Sequence, residues 1–178
     1  MLKFILLGLL AVVAIFAVVA ALQPADFKIT RTARLAAPAA TVFPYFNDLH
    51  KWNDWSPWAR MDPNAQNTFT GPESGLGAGF AWAGNNEVGE GNMTITESKP
   101  VELVRMRLEF IKPFAAVNTT EFIFKPEGEQ TSVTWTMSGT NGFMGKAIGL
   151  LMNCDKMVGG QFEQGFENLR ALVEPKQS

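Results

Sequence analysis

Between Val101 and Met137 the chain alternates apolar and polar residues with a period of two, in three successive segments. Val104, Met106, Leu108 and Phe110 share one parity, and Arg105, Arg107 and Glu109 the other. Phe122 and Phe124 alternate against Glu121 and Ile123. Val133, Trp135 and Met137 alternate with Thr134, Thr136 and Ser138. Successive side chains of a strand point to opposite faces, so this pattern specifies antiparallel strands with one buried and one wet face. The buried face needs a second layer. One follows: Met157 or Val158, then Phe162, Phe166, Leu169 and Leu172 or Val173 fall on a single helical stripe, with Glu163, Glu167 and Arg170 off it.

Upstream, Asp26 to Ala36 reads as a first strand with Phe27 and Ile29 on one face, and Thr68 to Thr70 as a short one. Gly79 to Ala83 carries Phe80 and Trp82 on one face. Gly84-Asn85-Asn86 is a hairpin signal leading into Glu87 to Ser98, with Met93 and Ile95 on one face. Two short helices are expected after the first strand. Val42, Phe43 and Phe46 mark the one, which Pro44 keeps short or kinked; Asp48 to Trp55 forms the other, broken by Pro57. Phe143 to Met152 reads as the first part of the C-terminal helix or as a separate lid. The fold class is α+β: a curved antiparallel sheet of six or seven strands against one long C-terminal helix.

Phe4 to Leu22 contains no charged or strongly polar residue. As a helix it spans about 28 Å, close to the ~30 Å of a bilayer's hydrocarbon core. Residues 1–23 are therefore a membrane anchor or a signal peptide, with Val19-Ala20-Ala21 as the cleavage candidate; the length of the run favours the anchor. Lys3 before the run points the N-terminus inward, while Lys28, Arg31 and Arg34 after it pull the other way. The expected arrangement is a single pass with residues 24–178 as one domain outside the cytoplasm.

The net charge of −2 argues against a nucleic-acid partner, which calls for a basic face. One cysteine (Cys154) and one histidine (His50) cannot assemble a Cys/His metal site, and nothing in the sequence calls for a metal or a cofactor. Cys154 is expected to be a small buried side chain near a helix start.

One helix covers only part of a six- or seven-stranded sheet, so the uncovered apolar face is filled by side chains or encloses a cavity. The inward candidates are Phe80, Trp82, Met93, Ile95, Met106, Leu108, Phe110, Phe122, Trp135, Met137, Phe162 and Phe166. Gly159, Gly160 and Gly165 remove side chains where the last helix meets the sheet, although each costs roughly 1 kcal/mol against alanine in a helix. Trp52, Trp55 and Trp58, spaced three apart, wall a pocket mouth, face a bilayer interface or cap the core.

Phe43-Pro44-Tyr45-Phe46-Asn47-Asp48, leading into Trp52-Asn53-Asp54-Trp55-Ser56-Pro57-Trp58, resembles the polyketide cyclase/dehydrase and lipid-transport group of the START-like (SRPBCC) superfamily. So do Gly71-Pro72-Glu73-Ser74-Gly75, Gly89-Glu90-Gly91-Asn92-Met93-Thr94-Ile95, Phe110-Ile111-Lys112-Pro113-Phe114 and Asp155-Lys156-Met157-Val158-Gly159. The resemblance runs from about Phe27 to Val173. It implies a helix-grip fold, in which the sheet wraps the last helix around a hydrophobic cavity, and a hydrophobic small molecule as partner. The superfamily spans carriers, receptors and enzymes, so the resemblance does not choose an activity.

A cyclase needs an acid or base inside the pocket. Glu97 shares parity with Met93 and Ile95, and Glu90 sits between glycines where a bulge would redirect it. His50 reads as solvated, and Glu109 and Glu121 as cross-strand partners of Arg105 and Arg107. Three functions stand at this point: a membrane-tethered carrier of a lipid-like or aromatic molecule, a cyclase or aromatase using a pocket carboxylate, and a partner-binding domain with a filled core. The oligomeric state is not specified by any of these features.

Overall fold

A computed structural model describes residues 1–175. Helix α1 (Leu2–Leu22) is long and apolar enough to cross a membrane. Gln23, Pro24 and Ala25 separate it from β1 (Asp26–Leu35). Then come the short helices α2 (Ala39–Val42) and α3 (Pro44–Asn47), a 3₁₀ turn (Leu49–Lys51), α4 (Trp52–Trp55) and α5 (Pro57–Met61). Six strands follow: β2 (Gln66–Thr70), β3 (Gly79–Ala83), β4 (Glu90–Lys99), β5 (Leu103–Lys112), β6 (Ala116–Glu127) and β7 (Gln130–Thr140). The C-terminal part is α6 (Phe143–Leu151) and α7 (Cys154–Val173).

The seven strands form one antiparallel sheet in the order β1-β7-β6-β5-β4-β3-β2. Helix α7 lies on its apolar face, which is the helix-grip arrangement. Leu108, Phe110, Trp135, Met137 and their like-parity neighbours point toward α7; the opposite face carries polar ladders. Thr30 and Thr32 pair their hydroxyls with Thr136 and Thr134 at 3.1 and 3.0 Å. Arg105 on that face donates to Glu121 at 2.9 Å and also pairs with Glu97.

The connection between β1 and β2 is more divided than two helices. Proline lacks an N–H and is tolerated only in a helix's first turn. Pro44 therefore opens α3 instead of kinking α2, and Pro57 opens α5 after Ser56 leaves the helical region at ψ 127°. The Gly84 signal also gives more than a tight hairpin. A six-residue loop, 84–89, joins β3 to β4, folded by Asn85 Oδ1 accepting from the Glu87 N–H at 2.8 Å. Residues 143–152 do not continue into α7. Phe143–Leu151 form the separate helix α6, which ends before the extended Met152 and packs along α1, with Lys146 Nζ donating to the Ala21 carbonyl at 3.2 Å. Cys154 is the first residue of α7 and only half-buried.

Two of the three helix glycines meet something. A Cβ on Gly159 would lie 2.0 Å from the Arg31 guanidinium, and one on Gly165 3.1 Å from the Trp135 ring. Gly160 has nothing within 4 Å. Gly159 thus lets Arg31 reach under α7, where it donates to Glu163 at 2.7 Å and to Asp155 at 3.0 Å. That ion cluster ties the first turns of α7 to β1.

The core is concentrated at one end of the sheet. Phe43, Phe46, Trp55, Ile95, Val104, Phe122, Phe124 and Val133 are buried there beneath the short helices. Phe46 packs its ring at a tilt or edge-on against Trp55, Phe122 and Phe124 at centroid distances of 4.8, 4.6 and 5.2 Å. Each such fully buried side chain contributes about 1.5–3 kcal/mol from burial. Trp55 also donates its Nε1–H to the Tyr45 carbonyl at 3.0 Å, which fixes α4 on α3.

Candidate functional site

The other half of the curled sheet is not filled. A cavity of about 540 Å³ lies between the sheet and α7, within the size range of small-molecule sites. Its lining includes Trp52, Trp58, Phe80, Trp82, Met93, Met106, Leu108, Phe110, Trp135, Met137 and Phe162 from the sequence candidates. Trp55, Ile95, Phe122 and Phe166 do not line it; they are packed into the core. The reason is position along the strand. On β5 the core takes Val104 while the cavity takes Leu108 and Phe110; on β4 it takes Ile95 while the cavity takes Met93. Parity groups residues by face and carries no information on the distance along the strand at which filling stops.

Strand register places the cavity at a definite end of the molecule. Asp26 at the start of β1 pairs with Thr140 at the end of β7, Asn118 on β6 with Gly139, Phe110 on β5 with Ala116, and Glu90 on β4 with Lys112. These pairs define the end at which α1 enters and α6 leaves. The exposed lining residues Pro63, Asn67, Glu87, Lys112 and Pro113 lie toward that end, so the cavity opens there. Gly89, at φ 66°, sits on the rim, where a Cβ would stand 2.3 Å from the Lys112 carbonyl oxygen. Exposed Ile111, Phe114, Val117, Phe143 and Met144 lie toward the same end of the sheet.

The tryptophans after the first strand divide their work. Trp52 and Trp58 face the cavity, each edge-on to Trp135 at 5.9 and 6.0 Å; Trp55 is core. Trp135 is also stacked flat on Phe162, with centroids 3.9 Å apart and an interplanar angle of 8°. Asn53, Ser56, Ala59 and Val88 also line the cavity from short helices and a loop, which carry no periodic signal; Val158, on the α7 stripe, and Thr120, of like parity with Phe122 on β6, complete the lining.

The carboxylates are elsewhere. The register of β4 on β5 shifts between Ile95 and Glu97, so a bulge reverses the parity of the strand. Glu97 is carried to the outer face, paired with Lys99 at 2.8 Å and with Arg105. The expectation that it points inward with Met93 and Ile95 is corrected by that bulge. Its carboxyl is held below the ordinary value by the hydrogen bond from Lys99 and the Arg105 charge, which outweigh desolvation. A second shift, between Glu90 and Gly91, leaves Glu90 on Lys112 at 2.6 Å. His50 accompanies Asp48 at 3.1 Å, stacks on Phe69 and is half exposed. Asp62, Glu87 and Lys112 are the ionisable residues in the lining, at its open end. Asp62 Oδ2 accepts from the Asn85 N–H at 2.7 Å.

Solved structures of low sequence identity share this fold. Protein CV1439 from Chromobacterium violaceum is 16% identical, with a TM-score of 0.62 over 84% of this chain and 98% of its own. Protein Ms6760 from Mycobacterium smegmatis is 19% identical, with a TM-score of 0.58 over 82% of this chain and 90% of its own. Major latex-like protein 151 from Panax ginseng is 11% identical, with a TM-score of 0.58 over 84% and 99%. No curated protein matches the sequence significantly. Residues 26–174 match the sequence model of the family described as polyketide cyclase / dehydrase and lipid transport. With the helix-grip sheet, the cavity under α7 and that match across nearly the whole domain, the chain belongs to the polyketide cyclase/dehydrase and lipid transport family of the START-like (SRPBCC) superfamily.

Proposed function

We propose that the protein binds and carries a hydrophobic small molecule at the surface of the membrane in which α1 anchors it. The observation that carries this reading is the apolar cavity, open at the end of the sheet where α1 enters. An apolar molecule leaving a bilayer beside α1 meets exposed Ile111, Phe114, Phe143 and Met144 and then the aromatic lining, without crossing much water. Helix α6, lying along α1 with Leu150, Leu151 and Met152 exposed, supports the same side as the one that rests on lipid. In this reading α1 is retained, residues 24–178 form the ligand-binding domain, and the domain stands outside the cytoplasm.

The enzymatic alternative loses its sequence candidates, since Glu97 faces outward and Glu90 is tied to Lys112. A filled-core partner domain does not agree with a cavity of this size. The test is native mass spectrometry of the full chain in amphipol, with extraction of co-purifying molecules and challenge with apolar aromatics and long-chain alcohols. A stoichiometric apolar adduct is expected. A chain that carries none and takes up none of the added molecules overturns the reading.

A further inference from the structure

Among the described residues, two buried side-chain polar atoms have no hydrogen-bond partner: Ser56 Oγ and Trp135 Nε1. Both residues line the cavity, and each is 2% exposed. Neighbouring polar groups find partners. Trp55 and Trp82 donate their indole N–H groups to the carbonyls of Tyr45 and Val88 at 3.0 and 3.1 Å, and Asn168 Nδ2 donates to the Trp55 carbonyl at 2.9 Å. A buried donor left unmade is costly, and folded proteins rarely leave one.

Trp135 cannot turn to find a partner of its own. Phe162 covers its face, Trp52, Trp55 and Trp58 meet it edge-on, and Gly165 leaves its ring just enough room. An indole N–H only donates, so its partner is an acceptor; a serine hydroxyl serves as donor or acceptor. Trp135 also marks the inner limit of the cavity on β7, since Met137 lies toward the open end and Val133 is core. The buried lining contains no ionisable side chain, and a charge placed there without a partner is strongly disfavoured.

We infer that the ligand is neutral and enters oxygen first: an apolar body bearing an uncharged carbonyl or hydroxyl oxygen, which accepts from Trp135 Nε1–H and shares a hydrogen bond with Ser56 Oγ. The apolar body then occupies the open half, toward the α1 end. This deepens the reading of the cavity as a ligand site and rests on it.

The test uses three probes of one shape: naphthalene substituted at one ring position with an acetyl, an isopropyl or a carboxylate group. Each is measured by equilibrium dialysis against the full chain in amphipol, as wild type, Ser56→Ala and Trp135→Phe. Partition into amphipol is common to all three proteins and cancels. The acetyl-to-isopropyl affinity ratio is expected to be about tenfold higher in wild type than in Trp135→Phe, the size of one net hydrogen bond. Ser56→Ala lowers it in the same direction with the aromatic packing intact, so the test survives if Trp135→Phe folds poorly. The carboxylate is expected to bind weakest. A ratio unchanged in both variants, or a carboxylate that binds tighter than the ketone, overturns the inference while the cavity reading stands. Failure of all three probes to bind wild type overturns both.

Discussion

At Gly159 any side chain would collide with the Arg31 guanidinium, whereas at Gly160, the next residue, a Cβ would meet open space. Both glycines carry the same intrinsic cost in a helix, so they separate local propensity from packing. Gly160→Ala is expected to stabilise the chain by up to about 1 kcal/mol, and Gly159→Ala to lower the thermal midpoint by displacing Arg31 from Asp155 and Glu163. Thermal melts of the two variants check this; a rise for both would mean the ion cluster contributes nothing. The same cluster gives a pH dependence. The hydrogen bond from Arg31 holds the Asp155 carboxyl below its ordinary value of 3.8. A carboxyl lowered in the folded state contributes stability that is complete above its unfolded value and is lost as pH falls through its folded one. The stability difference between wild type and Asp155→Asn is therefore expected to be constant near neutrality and to close below about pH 4 in acid unfolding. None of this was legible beforehand, because Gly159 and Arg31 are 128 positions apart in the sequence and meet only once α7 is laid on β1.

Periodicity carried most of what could be read about the elements. Strands β5, β6 and β7 stood out because each buries one face continuously, and α7 because Phe162, Phe166 and Leu169 must share a stripe. Glu97 was misplaced because a bulge inserts one residue without leaving any mark in the alternation pattern. Trp55 was grouped with Trp52 and Trp58 because a spacing of three suggests one surface; within α4, three residues turn Trp55 from the cavity toward Phe46 and Tyr45, and the new helix opened by Pro57 brings Trp58 back to the cavity. Helix α6 was legible as apolar, while its separation from α7 stayed open, since the turn at Met152 and Asn153 contains neither glycine nor proline. Its placement has a direct check. With a nitroxide on Leu151→Cys in a Cys154→Ser background, the full chain in lipid nanodiscs is expected to be relaxed more by oxygen than by a water-soluble nickel chelate. A label on Glu129→Cys, in the turn between β6 and β7 at the far end of the sheet, should show the opposite order. Equal aqueous exposure at both sites would remove α6 from the bilayer surface.

For the molecule as a whole, the division of the curled sheet into a filled half and an empty half matters more than any single residue. The filled half supplies a core that does not depend on the ligand, and the empty half is free to load and unload. The end at which α1 enters and the open end coincide, and only Gln23, Pro24 and Ala25 lie between α1 and β1. Even that link is pinned, because the Asn141 N–H donates to the Ala25 carbonyl at 2.8 Å. Three extended residues reach about 10 Å. An insertion of about 20 Gly/Ser residues after Pro24 lengthens the reach to roughly 25 Å and is expected to speed exchange of an apolar probe between apposed vesicles, measured by fluorescence transfer. No change on insertion would mean that reach does not limit exchange. On the proposed carrier reading, so short a leash bars ferrying cargo through water to a distant membrane: the domain would patrol two dimensions, sliding within one leaflet, and hand its cargo only to what drifts alongside.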